Sequence, residues 1–257
     1  MQFKNSSSPV VVAGFIIALT AGFIALVSGP GTDRGLWNFR TGITMLRWAA
    51  YGGSAAALLS LLGLIASLRS GLMKSILLAL LGIILGSSVA GLMLHWKHVA
   101  ESVPRIHDIT SDTEDPPEFA AVLRLRGKNE NSPLYGGAET ASLQRKAYPD
   151  IVPLMLSIPP DKAFDNALSA AKQMGWRIID EDRSAGLIEA VAVTFWFGFK
   201  DDIVIRIRPV DTGSRLDIRS ASRVGLSDLG KNAERIREFY KSIKEGQGPS
   251  PAGGGLK

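Results

Sequence analysis

Three long stretches near the start of the chain carry no charge at all: residues 9–27, 48–68 and 75–94, which are 19, 21 and 20 residues long. About 20 apolar residues, each rising about 1.5 Å in a helix, cross the hydrocarbon core of a bilayer. A soluble helix of that length shows a polar face, and these stretches have none. They predict three transmembrane helices. The first is longer than the roughly 7–15 apolar residues of a signal peptide and no A-x-A site follows it, so it is expected to stay as a span.

From residue 148 the pattern changes to short alternating segments. An apolar strand is predicted over 151–158. Pro159-Pro160-Asp161 then opens a helix, since Pro and an acid suit a first turn. Phe164, Ala167, Leu168, Ala171 and Met174 share one face of that helix, and Gly175 stops it. Strands are expected over 176–180 and 187–197, with Ser184-Ala185-Gly186 in the turn between them. A hairpin of 203–208 and 215–222 closes around Asp211-Thr212-Gly213. Leu229, Ala233, Ile236, Tyr240 and Ile243 recur at helical spacing, which predicts a last helix over 227–244 capped by Ser227 or Asp228. The order β-α-β-β-β-β-α, with short turns between consecutive strands, implies an antiparallel sheet of about five strands with two helices packed on it. The fold class is therefore α+β behind three N-terminal transmembrane helices.

This divides the chain into a transmembrane anchor (1–98), a connector (99–147), a soluble α+β domain (148–245) and a Gly/Pro-rich tail (246–257). The connector holds Pro104, Pro116, Pro117 and Pro133 and is expected to be extended and mostly irregular. The tail reads as flexible low complexity.

Charge sharpens the division. The net +5 suggests a nucleic-acid partner until it is split: residues 1–98 hold seven basic residues and one acid, whereas 99–257 hold 22 basic and 23 acidic residues. A nearly neutral soluble domain has little drive toward a polyphosphate, so no nucleic acid is expected. The absence of Cys removes disulfides, thiolate metal sites and cysteine nucleophiles. Neither G-x-S-x-G, H-E-x-x-H nor a P-loop occurs.

Three spans place the 28–47 loop and the soluble domain on the same side. Basic residues near the spans do not decide that side under the positive-inside rule. Trp37, Trp48, Tyr51 and Trp96 cluster toward it as an interfacial belt. Small residues recur four apart in each span: Gly14, Ala18 and Gly22; Gly52, Ala56 and Ser60; Gly82, Gly86 and Ala90. Such ridges let helices approach closely. Packing within the chain is the first expectation, and oligomerisation is the other reading.

Two polar regions could carry chemistry. The stretch 105–118 holds Asp108, Asp112, Glu114, Asp115 and Glu118 beside His107. His107, Asp108 and Asp112 are candidate ligands for a hard cation, which would support a metal-dependent hydrolase as the alternative function. The spacing is not that of an EF-hand, and a loop paired with arginines is the plainer expectation. His95 and His98 share a helix face and could hold a metal or haem, although an interfacial pair is the simpler reading, and no cofactor is expected. The second region is the hairpin. Matching its faces sets Arg206 opposite Asp217, Arg208 opposite Arg215 and Val204 opposite Arg219. The resulting Arg-rich face could hold a phosphate, a carboxylate or a lipid headgroup, or be a solvated face pinned by Asp. Arg208 facing Arg215 calls for an anion between them. Over 187–199 nearly every residue on both faces is apolar or small, which calls for a second cover: the connector, the membrane surface or an apolar ligand.

Several motifs occur in one order: 105–117, Tyr148-Pro-Asp, Met174-Gly-Trp, Phe197-Gly-Phe-Lys-Asp-Asp202 and the run from Ser220 to Arg237. Over about residues 104–242 they resemble the bacterial domain-of-unknown-function family numbered 1499, in its three-span form. Other members of that family resemble lipoproteins or lumenal proteins, so the resemblance implies a multi-pass protein of the bacterial inner membrane with a periplasmic C-terminal domain. It brings no activity and no catalytic residue. It points to Arg223, Ser227, Asp228, Gly230 and Asn232 as a unit, a strand-to-helix turn where free N–H groups favour anions or where the side chains simply cap the helix. The expected function is that of a membrane-anchored cell-envelope protein, not an enzyme, whose domain binds a lipid-like or anionic ligand or a partner protein. Arg206, Arg208, Arg215, Arg219, Arg223, Ser227, Asp228 and Asn232 are the candidate binding residues.

Overall fold

The computed structural model describes residues 7–246; the tail beyond Gly246 lies outside them. Three helices come first: α1 (Pro9–Asp33), α2 (Phe39–Ser70) and α3 (Met73–Ser102). Each is long and apolar enough to cross a membrane. Then follow β1 (Asp108–Thr110), a 3-10 helix (Ala121–Leu125), α4 (Gly137–Ala147), β2 (Leu154–Leu156), α5 (Pro160–Gln173), β3 (Arg177–Asp182), β4 (Leu187–Val193), β5 (Lys200–Val210), β6 (Gly213–Ser222) and α6 (Lys231–Gly246). The chain divides into two compact units: residues up to 101 together with Phe195–Gly198, and residues from 102 onward without that loop.

In the helical unit the space beside many of the small residues is filled by neighbours from the same chain, although Gly22 and Gly91 stand open. A Cβ on Gly14 would come within 2.7 Å of Ser60 Oγ, and one on Gly53 within 2.8 Å of the Gly86 carbonyl. Gly82 faces Ser60, and Gly63 faces Val11. The large residues point away: Ile16, Leu19, Phe23, Leu58 and Ile84 are exposed, as a lipid-facing surface requires. Asn38 caps α2 by accepting the Thr41 N–H at 3.0 Å, and Gly71 ends it in the left-handed conformation, φ 66°.

The second unit is built on a six-stranded antiparallel sheet in the order β1-β6-β5-β4-β3, with β2 also pairing β6. β1 and β2 lie along the same edge of β6, β1 against residues 219–221 and β2 against 214–216. The sheet is therefore five strands wide. The hairpin has the expected register: Val204 faces Arg219, Arg206 faces Asp217 and Arg208 faces Arg215. Ile203, Ile205, Ile207, Leu216 and Ile218 turn to the other face and form the main core with Phe164, Ala167 and Ala171 of α5 and Ile236, Phe239 and Ile243 of α6. Trp176 stacks on Phe239 with ring centroids 5.3 Å apart. At 25 cal/mol per Å2, burying such aromatic and aliphatic side chains is worth about 1.5–3 kcal/mol each, and that pins both helices to one face.

Four features depart from the sequence reading. The strand expected over 187–197 ends at Val193, and residues 195–197 form a turn instead. The stretch 99–147 is not uniformly irregular, for it supplies an edge strand, the 3-10 helix and α4. β2 shrinks to three residues, confined by Pro153 and Pro159, which cannot donate to a ladder. α6 starts at Lys231 rather than 227 because Leu229 and Gly230 have φ of 56° and 80°, outside the helical region.

Candidate functional site

The alternation of β5 and β6 sends Val204, Arg206 and Arg208 and, opposite them, Arg219, Asp217 and Arg215 to the sheet face away from α5 and α6. That face is covered by the segment that enters after α3. Phe119 and Val122 of that segment pack with Val191, Val204 and Ala221 in a second, smaller core, joined by Ile179 and Leu187. The strand that is apolar on both sides thus gets its second cover from the connector. Glu189 makes this possible. Buried in β4, it accepts N–H groups from Ala120, Ala121 and Val122 at 2.8–3.2 Å. A carboxylate at the start of a helical turn satisfies donors that no backbone carbonyl reaches.

Beside this core lies the arginine cluster. Asp217, fully buried, accepts Arg206 Nη2 and Arg208 Nη2 at 3.0 Å on one oxygen and Arg215 Nε at 2.9 Å on the other. Asp112 pairs with Arg215 and lies 3.5 Å from Arg208. Asp115 takes Arg208 Nη1 at 2.8 Å and stands 3.3 Å from Arg206. So the like charges of Arg208 and Arg215 are offset by carboxylates of the same chain. Asp115 is the open member, with 63% of its side chain exposed, against 9% for Asp112. Hydrogen bonding from Arg208, then the charge of Arg206, holds its carboxyl below the usual carboxylate range.

Arg219 is engaged on every side. It forks onto Asp108 at 2.9 and 2.7 Å, donates to the carbonyls of Pro117 and Pro133, and lies 4.5 Å over the Phe119 ring and 5.6 Å from that of Tyr135. Arg223 pairs with buried Asp202 at 2.6 Å and donates to the Leu125 carbonyl, while Arg126 reaches the same aspartate at 2.8 Å. Burial pushes the Asp202 carboxyl up, and its Arg223 bond pulls it back.

Ser227, Asp228 and Asn232 form a separate knot where α6 begins. Asp228 accepts N–H groups from Gly230 at 2.8 Å and Asn232 at 2.9 Å, so those N–H groups are already capped. Burial raises its carboxyl above the usual value. Asn232, fully buried, donates to the His107 carbonyl and to Ser222 Oγ and accepts from Ser220 Oγ and Arg235. It ties the chain entry, the end of β6 and α6 together. Ser227 Oγ donates to the Pro104 carbonyl at 3.3 Å. Gly230 adopts a positive φ of 80° at the turn.

His107, Asp108 and Asp112 do not converge as a ligand set. Asp108 belongs to Arg219, Asp112 to the arginine cluster, and among the described residues no three His, Asp or Glu side chains gather where they could hold a metal. His95 rests edge-on against Trp96, with centroids 5.6 Å apart. A hollow of about 240 Å3 between Trp176, Val193, Arg235 and Glu238 is smaller than the roughly 300–1,000 Å3 of common small-molecule sites.

The family described as Protein of unknown function (DUF1499) matches residues 108–243, from β1 through most of α6. The chain belongs to the DUF1499 family. The DUF1499 region begins at the first paired strand and leaves out the three apolar helices, so the family's sequence pattern coincides with the sheet unit. No curated protein matches the chain significantly. Two residues that position the DUF1499 face escape sequence reasoning. Glu189 looks like a lone polar residue in an apolar strand. Buried Gln144 of α4 exchanges hydrogen bonds with the backbone of Thr110, at 2.6 and 3.0 Å, and finishes the outer edge of β1. The lone charge in an otherwise apolar strand was the available signal for the first; nothing in the sequence marks the second.

Proposed function

We propose that this DUF1499 protein is a non-enzymatic, membrane-anchored module of the bacterial cell envelope, with its sheet unit on the periplasmic side of the inner membrane, and that the unit binds an anionic group at Arg206, Arg208 and Arg215. The observation that carries the reading is the pair Arg208 and Arg215, directly opposed on β5 and β6, with the exposed Asp115 as the solvent-side counter-ion of Arg208 and its neighbour Arg206. An external carboxylate or phosphate competes with that side chain for the same planar donor forks. Arg219, Arg223, Ser227, Asp228 and Asn232 then act as the scaffold that holds the face in place, since their donors and acceptors are used within the chain.

The test is thermal unfolding of the full chain in detergent, with and without inorganic phosphate. A ligand that binds only the folded state raises the midpoint. The expected result is a small rise for the native chain, a larger one for Asp115→Asn and none for Arg208→Ala. Equal responses in all three would sink the binding reading. A reporter enzyme fused after residue 246 and active only outside the cytoplasm tests the sidedness.

A further inference from the structure

The loop Phe195–Gly198 groups with the transmembrane helices rather than with the sheet, and its aromatic residues invite a function. Within that unit it sits at the α1–α2 turn. The Trp196 indole occupies the space a side chain on Gly29 would need, Phe197 lies 3.0 Å from where a Cβ of Gly42 would be, and Gly198, at φ 64°, packs on Asp33. The turn is also braced by Trp37, which covers Gly31 and donates to the Ser28 carbonyl at 3.0 Å. Yet Phe195 itself is 96% exposed and Leu36 70%.

Leaving a Phe and a Leu this exposed is costly in water, since each apolar Å2 left wet forgoes about 25 cal/mol. The depth of the turn resolves the cost. Gly42 packs level with Ser28 and Thr32, six residues before Trp48, where the charge-free run of α2 begins. Gly29, which Trp196 covers, lies two residues past Val27, where the charge-free run of α1 ends, so about 3 Å further along the helix and inside a headgroup layer about 5–7 Å thick. Trp and Tyr favour that layer, and Trp48 and Tyr51 stand exposed just below it. Exposed Arg34, Arg40 and Arg47 surround the turn with positive charge, which suits anionic headgroups.

We propose that Phe195 and Trp196, with Leu36 and Trp37, form an interfacial anchor that inserts into the lipid headgroup layer, so that the chain enters the membrane surface a second time between β4 and β5. This proposal rests on the spans alone and stands whether or not the sheet binds an anion.

The native chain has no Cys, so single labels are specific. Full-length Phe195→Cys, Leu36→Cys and Asp211→Cys are labelled with an environment-sensitive fluorophore and reconstituted in phosphatidylglycerol–phosphatidylethanolamine vesicles. Asp211 lies in the exposed turn at the far end of β5. The expected result is blue-shifted emission at 195 and 36, quenched by headgroup nitroxide lipids and shielded from iodide, with the reverse at 211. Two results would overturn the anchor. One is water-like emission at 195 with iodide quenching equal to that at 211. The other is shielding at 195 from both quenchers, which would assign the loop to a protein partner or a second copy.

Discussion

Arg219 is the most heavily committed side chain of the sheet unit, and its removal tests what buried charge pairs do here. Arg219→Ala leaves Asp108 buried without a partner and the carbonyls of Pro117 and Pro133 without donors. Breaking such a pair costs about 3–5 kcal/mol, which denaturant unfolding of the detergent-solubilised chain would show as a lowered midpoint. Tyr135 behaves in the opposite sense. Its hydroxyl is buried without a hydrogen-bond partner, and burial, with Asp108 nearby, pushes its pKa up to about 12. The folded state therefore favours the neutral phenol. That preference is fully present below the ordinary value near 10 and is lost as pH rises through about 12. Tyr135→Phe is expected to leave neutral-pH stability unchanged or slightly higher and to remove one late step from an ultraviolet tyrosine titration. Asp115 has a lowered pKa, so its link to Arg206 and Arg208 contributes above the ordinary carboxyl value and is lost only as pH falls through the depressed one.

Among the elements, the 3-10 helix depends on one side chain. Glu189→Ala strips Ala120, Ala121 and Val122 of their acceptor. Hydrogen bonds to a charged group are worth about 1.5–3 kcal/mol, so the expected loss is about 2–3 kcal/mol, with hydrogen exchange at those amides accelerating before that of β5 and β6. The β5–β6 turn has its own constraint. Gly213 has φ 145° and a Cβ there would run into the Leu156 carbonyl, so Gly213→Ala is expected to destabilise the pairing of β2 with β6. The register of this hairpin follows from alternation alone, because a slip by one residue would bury the arginines of β5 and β6 in the main core. The edge strand β1 carried no such signal. Three residues are too few to show a period, and Gln144, which finishes its edge, lies 34 positions away.

For the whole molecule, the helical unit depends on close backbone approach. Gly86 meets Gly53 and Ala57 across the α2–α3 contact. Gly86→Leu is expected to force these helices apart and lower the thermal midpoint of the full chain in detergent, whereas Gly91→Leu, at a position open around its Cα, should do little. Equal effects would mean that the small residues serve another purpose. The sheet unit is held differently, by one large apolar core beneath the helices and a smaller one beneath the connector. Between them these cores explain how a strand with no polar face is tolerated.

Periodicity and charge by themselves determined the three spans and the order of the main strands and helices, because these depend on neighbours a few residues apart along one element, and alternation along the two arms of one short hairpin set Arg206 opposite Asp217. Only the tertiary structure decided what stands opposite the arginines. Asp108, Asp112 and Asp115 look like a loose acidic run, and lie about a hundred positions from Arg219, Arg215 and Arg208. Carboxylates suited to a cation by composition became the counter-ions of a sheet face, because a buried guanidinium must find its acceptors wherever the fold brings the chain.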